Sequence, residues 1–293
     1  MPDICFWNKC NNRCVMCTNP REFSLSTPLK NYDLKTQILK FKSYLSGNKV
    51  YESNKERRDY INITGGEPTL HPNFFELLYY IRKNSLNIPI TLLTNGRKFS
   101  NKKFLNKFIS IARQPFKIAI ALHSSKKELF EKITGIKGSF NQTVKALDNL
   151  KGSFKGEIEI RIVLHKLNIY NLREILDFIA ERWGYGIKIV IIHYEIEGMS
   201  EINIKNLDLS LSESAKEILK SLKSLKKFHF NLYHYPLCVL DKKLRPYAMI
   251  TLPKEDRVYT KICGDCKMKA KCLGLMREYY KIYGDGEIRG IDE

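Results

Sequence analysis

The chain has 293 residues, 43% of them hydrophobic and 28% charged, with 50 Lys and Arg against 31 Asp and Glu and a formal net charge of +19. That length accommodates one large domain plus a smaller one, with an ample core. No apolar stretch reaches the roughly 20 residues needed to cross a bilayer, and the charged start lacks the form of a signal peptide. A membrane span and export are therefore not expected, and a soluble, cytoplasmic protein is. Eight cysteines in such a chain point to metal ligation before disulfides, because the cytosol keeps thiols reduced.

Up to about residue 193 the pattern alternates strand-like and helix-like runs. Strands read at Asp3 to Trp7, Tyr60 to Thr64, Ile88 to Leu93, Phe116 to Leu122, Glu157 to Leu164 and Ile187 to Ile192. Amphipathic helices read most clearly at Phe74 to Lys83, Phe140 to Leu150 and Leu172 to Trp183. Six strand–helix units imply right-handed crossovers and a parallel sheet. Around Gly198 the alternation stops; a Lys-rich helix from Ser212 to about Leu225 and a strand from Phe228 to Tyr233 lead into a second cysteine-rich region. The expected division is 1–200 and 201–293.

After the first strand comes C-NNR-C-VM-C, placing Cys10, Cys14 and Cys17 within eight residues. Four thiolates close a structural zinc or a fully ligated iron–sulfur cube, whereas three leave one metal position open for a ligand that is not protein. After the second strand comes Gly65-Gly66-Glu67-Pro68, where two glycines let the backbone approach a ligand closely. Both motifs fall just beyond strands, at the carboxyl ends where parallel α/β sheets place their chemistry.

Together, in this order, CxxxCxxC and GGEP resemble the signature of the radical S-adenosylmethionine superfamily. The resemblance implies an α/β fold, a partial (β/α)6 barrel with a 4Fe-4S cluster on Cys10, Cys14 and Cys17 at its mouth. It also implies that Gly65, Gly66, Glu67 and Pro68 bind S-adenosylmethionine, the first three at its methionyl ammonium group. The cluster would cleave that cofactor reductively to a 5'-deoxyadenosyl radical, which takes a hydrogen atom from a substrate.

Four more cysteines, Cys238 and then Cys263, Cys266 and Cys272 in C-GD-C-KMKAK-C, are enough to close a second site. A structural zinc is one occupant consistent with a CxxC knuckle and two further thiolates. The arrangement also resembles the twitch or SPASM auxiliary-cluster domains that follow the barrel in many radical maturases, which implies a second 4Fe-4S cluster. The longer SPASM pattern has another cysteine where this chain has Met276, which favours one auxiliary cluster over two. With both clusters loaded the net charge would sit near about +16. Cys5 is left over as a small buried strand residue.

Other residues are expected at the mouth. Asn95, in Thr94-Asn95-Gly96, ends the third strand as cofactor contact or as an Asn-Gly turn; Ser124 meets the cofactor's ribose or caps the following helix. Arg161, within the fifth strand, has the fork to pair with the cofactor carboxylate. His193 closes the sixth strand beside adenine or substrate, and Met16, before the last cluster cysteine, fills space near the adenine. His71, His165, His229 and His234 lack ligand spacing and read as structural or surface residues.

Several stretches together, CNNRCVMC, TGGEPTL, LLTNGRKF, EIRIVLHKLN and YPLCVLDKKLRPYA, resemble the radical maturase of the His-Xaa-Ser system. That resemblance implies a peptide or small-protein substrate and a reducing partner such as flavodoxin or ferredoxin. The first strand begins almost at Met1, which leaves no separate N-terminal domain to grip a leader peptide. Two alternatives stand beside it. The charge, and Tyr, Phe and Lys interleaved from Phe228 to Tyr235, suit an enzyme acting on RNA or a nucleotide; a non-catalytic, metal-stapled binding module would leave GGEP and the missing fourth ligand unexplained.

Overall fold

The structure is a computed structural model that describes residues 3–20, 22–23, 29–46 and 60–292. Ten strands are described: β1 (Asp3–Trp7), β2 (Ile61–Gly65), β3 (Ile90–Thr94), β4 (Phe116–Ala121), β5 (Glu157–Leu164), β6 (Lys188–His193), β7 (Phe230–Tyr233), β8 (Ala248–Met249), β9 (Arg257–Val258) and β10 (Leu275–Met276). The first eight form a sheet in chain order. The sequence read six strand–helix units and a further strand at Phe228 to Tyr233, which is β7, four residues long. The eighth strand, β8, is two residues long, too short to carry a period. The chain divides into two compact units, Met1–Arg13, Asn19–Ala121 and Thr134–Glu159 in the first, Cys14–Thr18, Leu122–Ile133 and Ile160–Glu293 in the second.

In the first unit β1 to β4 pair in parallel, with Ile4 opposite Ile63, Ile63 opposite Leu92 and Leu92 opposite Ile118. Those four side chains form one layer, none more than 1% exposed. Burying each contributes about 1.5–3 kcal/mol. Helices Leu34–Ser46, Phe74–Asn84, Lys102–Ile111 and Ser139–Ser153 bury Phe41, Phe74, Leu105 and Leu147. Phe74 stacks on Phe104 at 5.8 Å, and Phe99 meets Phe108 edge-on at 4.9 Å. Because successive strand residues face opposite ways, the alternate positions Asn62, Thr64, Thr91, Leu93 and Lys117 share the sheet's other, half-buried face. Four parallel strands also bring their carboxyl ends to one edge. The Asn8–Cys10 turn, Gly65 to Pro68 and Thr94 to Arg97 leave from there.

In the second unit β6 pairs with β7 and β7 with β8, again in parallel, through Ile191, Leu232 and Ala248. The chain leaving β4 joins β5 through the Leu122 N–H on the Arg161 carbonyl at 3.0 Å, and the Tyr194 N–H reaches the Leu164 carbonyl at 3.2 Å. Helix Leu172–Trp183 matches its expected span, and Ser210 caps Leu211–Lys220 by accepting from the Glu213 N–H. Strands β9 and β10 make a separate antiparallel pair.

This unit hides three imidazoles at the ends of β4, β5 and β6. Burial holds His123 at about 3, with His165 adding to it; burial alone holds His165 at about 4; His193 sits at about 3 through burial, His234 and His165. Unfolded imidazoles take up protons near 6.5, so unfolding in acid is coupled to proton uptake. Stability is then full above pH 6.5 and falls by about 1.4 kcal/mol per pH unit for each histidine as pH drops toward 4. Urea midpoints at pH 7.5, 6 and 5 should decline steadily; equal midpoints would contradict neutral, buried histidines.

Candidate functional site

In the first unit the GGEP turn is bound to the start of the cysteine loop. The Gly66 N–H donates to the Trp7 carbonyl at 2.7 Å and the Glu67 N–H to the Lys9 carbonyl at 2.8 Å. A Cβ on Gly66 would lie 2.5 Å from the Lys9 oxygen, and one on Gly65, at φ +133°, 2.3 Å from the Trp7 oxygen. The close approach that the two glycines permit is thus made by the chain's own β1 backbone. The Gly65 carbonyl accepts from Asn19 Nδ2 at 3.2 Å.

Glu67 is 1% exposed, and its carboxylate ties two strand ends together. One oxygen accepts from the Thr69 N–H at 3.1 Å, the Thr69 hydroxyl at 2.5 Å and the Thr94 hydroxyl at 2.7 Å; the other accepts from the Asn95 N–H at 2.7 Å. Burial pushes this carboxyl above its ordinary range, and the bonds from Thr69, Asn95 and Thr94 pull the other way. Pro68 opens the short turn that follows.

The loop after β3 grips the cysteine loop directly. Asn95 Nδ2 donates to Asn11 Oδ1 at 2.6 Å and lies 3.9 Å from Cys10 Sγ, which also accepts from the Asn12 N–H at 3.3 Å. Arg97 donates to the Asn11 carbonyl, to Asn12 Oδ1 at 2.9 Å and, through Nε, to Gln142 Oε1 at 2.6 Å. Sequence reasoning missed Arg97. The available signal was a forked cation two residues beyond a strand-ending Asn, at the edge that carries the cysteines.

In the second unit the Cys17 N–H turns back to the Cys14 carbonyl at 3.2 Å, and the Cys17 carbonyl accepts from the Met199 N–H at 2.8 Å. Asn203 Nδ2 holds the Val15 carbonyl at 3.0 Å, and Met16 is buried. Arg161 lies with its guanidinium 5.8 Å from the Tyr233 ring. Ser124 and His193 are not at an open mouth. Ser124 is fully buried, and its hydroxyl accepts from the Lys126 N–H at the start of the helix Lys127–Thr134, the capping alternative. His193 is fully buried among the rings of Tyr194, Tyr235 and Tyr279, at 5.2, 5.6 and 5.7 Å. It falls on the same strand face as Ile189 and Ile191, which directs it into the core.

Also in the second unit, Cys238, Cys263, Cys266 and Cys272 line one open pocket of about 350 Å³, solvent at its mouth included, with Tyr259, Met268, Lys269 and Arg289. Cys272 Sγ accepts two backbone N–H groups, from Leu237 and Gly274, each at 3.3 Å. Burial raises the Cys272 and Cys238 thiols; backbone N–H donors lower them and the neighbouring thiols raise them again. Mutually repelling sulfurs with N–H donors aimed at them form a donor set suited to a bound cationic group. Among the described residues no three His, Cys, Asp or Glu side chains could hold a single metal ion, and none of the eight cysteines is in a disulfide.

A parallel α/β sheet carrying a three-thiol loop and a glycine-hinged turn at the carboxyl ends of neighbouring strands belongs to the class of cluster-dependent α/β enzymes. The sequence model of the radical SAM superfamily matches residues 4–179, and the chain belongs to that superfamily. Membership implies S-adenosylmethionine and a 4Fe-4S cluster as cofactors. The chain is 27% identical over 195 residues to a probable GTP 3',8-cyclase of Saccharolobus islandicus, covering 64% of this chain and 59% of that protein. It is 30% identical over 130 residues to the mycofactocin maturase MftC of Mycobacterium tuberculosis, covering 44% and 32%. The chain therefore spans about three-fifths or less of these curated relatives. The structure of HydG, a maturase of the [FeFe]-hydrogenase, superposes with a TM-score of 0.52 at 11% identity over 79% of this chain and 50% of that one, a likeness of fold. No helix among the described residues is long and apolar enough to cross a membrane.

Proposed function

We propose that this chain is a maturase that modifies a ribosomally made peptide oxidatively. Cys10, Cys14 and Cys17 hold the reducible cluster; Gly65 to Pro68, Asn95, Met16 and Arg161 border S-adenosylmethionine; and residues 201–293 form an auxiliary-cluster domain on Cys238, Cys263, Cys266 and Cys272. When bound, these cofactors supply a one-electron cleavage that yields methionine and a 5'-deoxyadenosyl radical. The protein's own contribution is to bind, orient and exclude water. Glu67, Asn95 and Arg97 fix the cysteine loop against the ends of β2 and β3. Arg161, over Tyr233, offers a fork for a carboxylate.

The observation that carries this reading is the four-thiol pocket. All four cysteines line one pocket, and its space, about 350 Å³ with solvent at the mouth included, has room for a multi-iron cluster. Cys238, Cys263, Cys266 and Cys272 would hold a fully ligated second cluster, which would supply an acceptor for an electron in an oxidative reaction. The mycofactocin maturase among the relatives supports the peptide, while the GTP 3',8-cyclase relatives favour a second reading, a nucleotide substrate.

After anaerobic reconstitution the unaltered protein should carry about eight irons and the Cys272→Ala variant fewer, toward about four. Incubation with a short peptide substrate should return that peptide lighter by two hydrogens. One zinc in place of four irons would remove the auxiliary cluster, and consumption of GTP with the peptide untouched would favour the second reading.

A further inference from the structure

The four-thiol pocket of the second unit is also a charged one. Lys269 and Arg289 line it beside the cysteines, and no Asp or Glu does. Asp265 and Asp292, each next in sequence to a lining residue, are exposed and outside that lining. Arg289 is brought there by a short segment fixed at both ends. At one end the Glu287 carboxylate accepts from the Ser212 N–H at 2.8 Å and from the Tyr279 hydroxyl. At the other the Ile291 carbonyl accepts from the Lys267 N–H at 3.0 Å, one residue past Cys266. Ile288 and Ile291 are buried and line the pocket with Arg289 between them.

The Arg289 N–H donates to Cys238 Sγ, and the guanidinium donates to the Gly286 and Ile288 carbonyls at 2.8 and 2.7 Å. Lys269 Nζ stands 5.9 Å from the centre of the Tyr259 ring, whose hydroxyl donates to the Cys272 carbonyl at 2.8 Å. With the two N–H groups on Cys272, backbone donors meet two of the four sulfurs and two cations meet the pocket.

A 4Fe-4S cluster held by four thiolates carries a charge of about −2, and one further electron takes it to about −3. Cations beside it and N–H donors aimed at its sulfurs favour the more negative state, so they raise its potential. We propose that Lys269 and Arg289 set the reduction potential of the second cluster and poise it to accept an electron. This assignment rests on the reading of Cys238, Cys263, Cys266 and Cys272 as that cluster's ligands. The electron comes from the substrate radical, which is oxidised as the cluster is reduced; the transfer itself makes and breaks no bond. Both residues act through the cluster and not on the substrate.

The test is a redox titration of the reconstituted protein followed by electron paramagnetic resonance, with the Cys10, Cys14 and Cys17 triple alanine variant identifying the second cluster's signal. In the Lys269→Gln, Arg289→Gln double variant, that cluster's ratio of reduced to oxidised forms at a given potential should fall about tenfold, a shift of about 59 mV. Its iron content should stay at about eight per chain. Arg289→Lys keeps the charge, and Lys271→Gln removes an exposed charge outside the lining. Both should titrate within about twofold of the unaltered protein, because solvent screens an exposed charge away from the site. Equal potentials in the double variant and the unaltered protein would overturn the proposal. So would an equal shift in Lys271→Gln, which would show net charge at work and not these two positions. Should the double variant fail to load the second site, Lys269→Gln and Arg289→Gln are titrated singly, each with a fall of about threefold expected. Zinc in place of the second cluster in the unaltered protein would instead sink the auxiliary-cluster reading itself, and this assignment with it.

Discussion

Replacing Cys10, Cys14 and Cys17 together by alanine is expected to lower bound iron from about eight to about four per chain and to abolish 5'-deoxyadenosine formation under dithionite. The three sulfurs lie within eight residues after β1, and of the remaining cysteines only Cys5 is near them in sequence. Cys5 is a poor substitute, because its thiol sits on the strand, is pushed up by burial and points toward the Trp7 carbonyl at 3.8 Å. Cys238, Cys263, Cys266 and Cys272 are far along the chain and line a pocket of their own, so their iron should survive. Iron and sulfide content, read beside circular dichroism to confirm folding, checks the expectation. Retention of all eight irons in the variant would show that the loop holds none.

Gly66→Ala should come close to that loss while leaving every cysteine in place. The new methyl would sit 2.5 Å from the Lys9 oxygen, 2.7 Å from the Lys9 carbonyl carbon and 2.8 Å from the Asn8 oxygen. All three are backbone atoms, so no rotamer change relieves the contact, and overpacking of this kind costs about 1–3 kcal/mol. The strain falls on the two residues that lead into Cys10 and on the Glu67-to-Lys9 bond. Iron at the first site should drop by more than half and S-adenosylmethionine cleavage at least about tenfold. Gly152→Ala is the control: it lies in helix Ser139–Ser153 with nothing within 4 Å of the added carbon, and it should keep full activity and gain up to about 1 kcal/mol. Equal iron content in the two variants would remove the packing argument.

Much of this was legible in the sequence for physical reasons. Strands β1 and β5 and the helix Leu172–Trp183 begin and end where the pattern put them, because buried strands and helices write a period of two or of three to four into their residues. Past residue 200 the pattern also showed β7, at Phe228 to Tyr233, whereas β8, two residues long, has too little length to show a period. His193 was read as facing a ligand, and Ser124 as facing a ligand or capping a helix, since a polar residue just past a strand end looks the same in sequence whether it turns outward or in. The pleat turns His193 into a tyrosine cage, and the helix start takes up the Ser124 hydroxyl. The glycines of GGEP show the opposite case: residue type gave the close approach, but only the register of β1 on β2 reveals that the approaching atoms are the protein's own. Arg97 escaped notice because its partners, Asn11 and Asn12, lie more than eighty residues away in the chain.

The Asn95 and Arg97 bonds to the cysteine loop run entirely between protein atoms, and none depends on iron. Ordering of the loop from Cys10 to Asn12 is therefore part of folding. Iron–sulfur centres open to a cofactor are also open to oxygen, and their loss is a recurring event in the life of such a protein. A loop clamped at Asn11 and Asn12 keeps its course through that loss. Repair of the cluster then requires iron, sulfide and electrons, and no refolding of the chain.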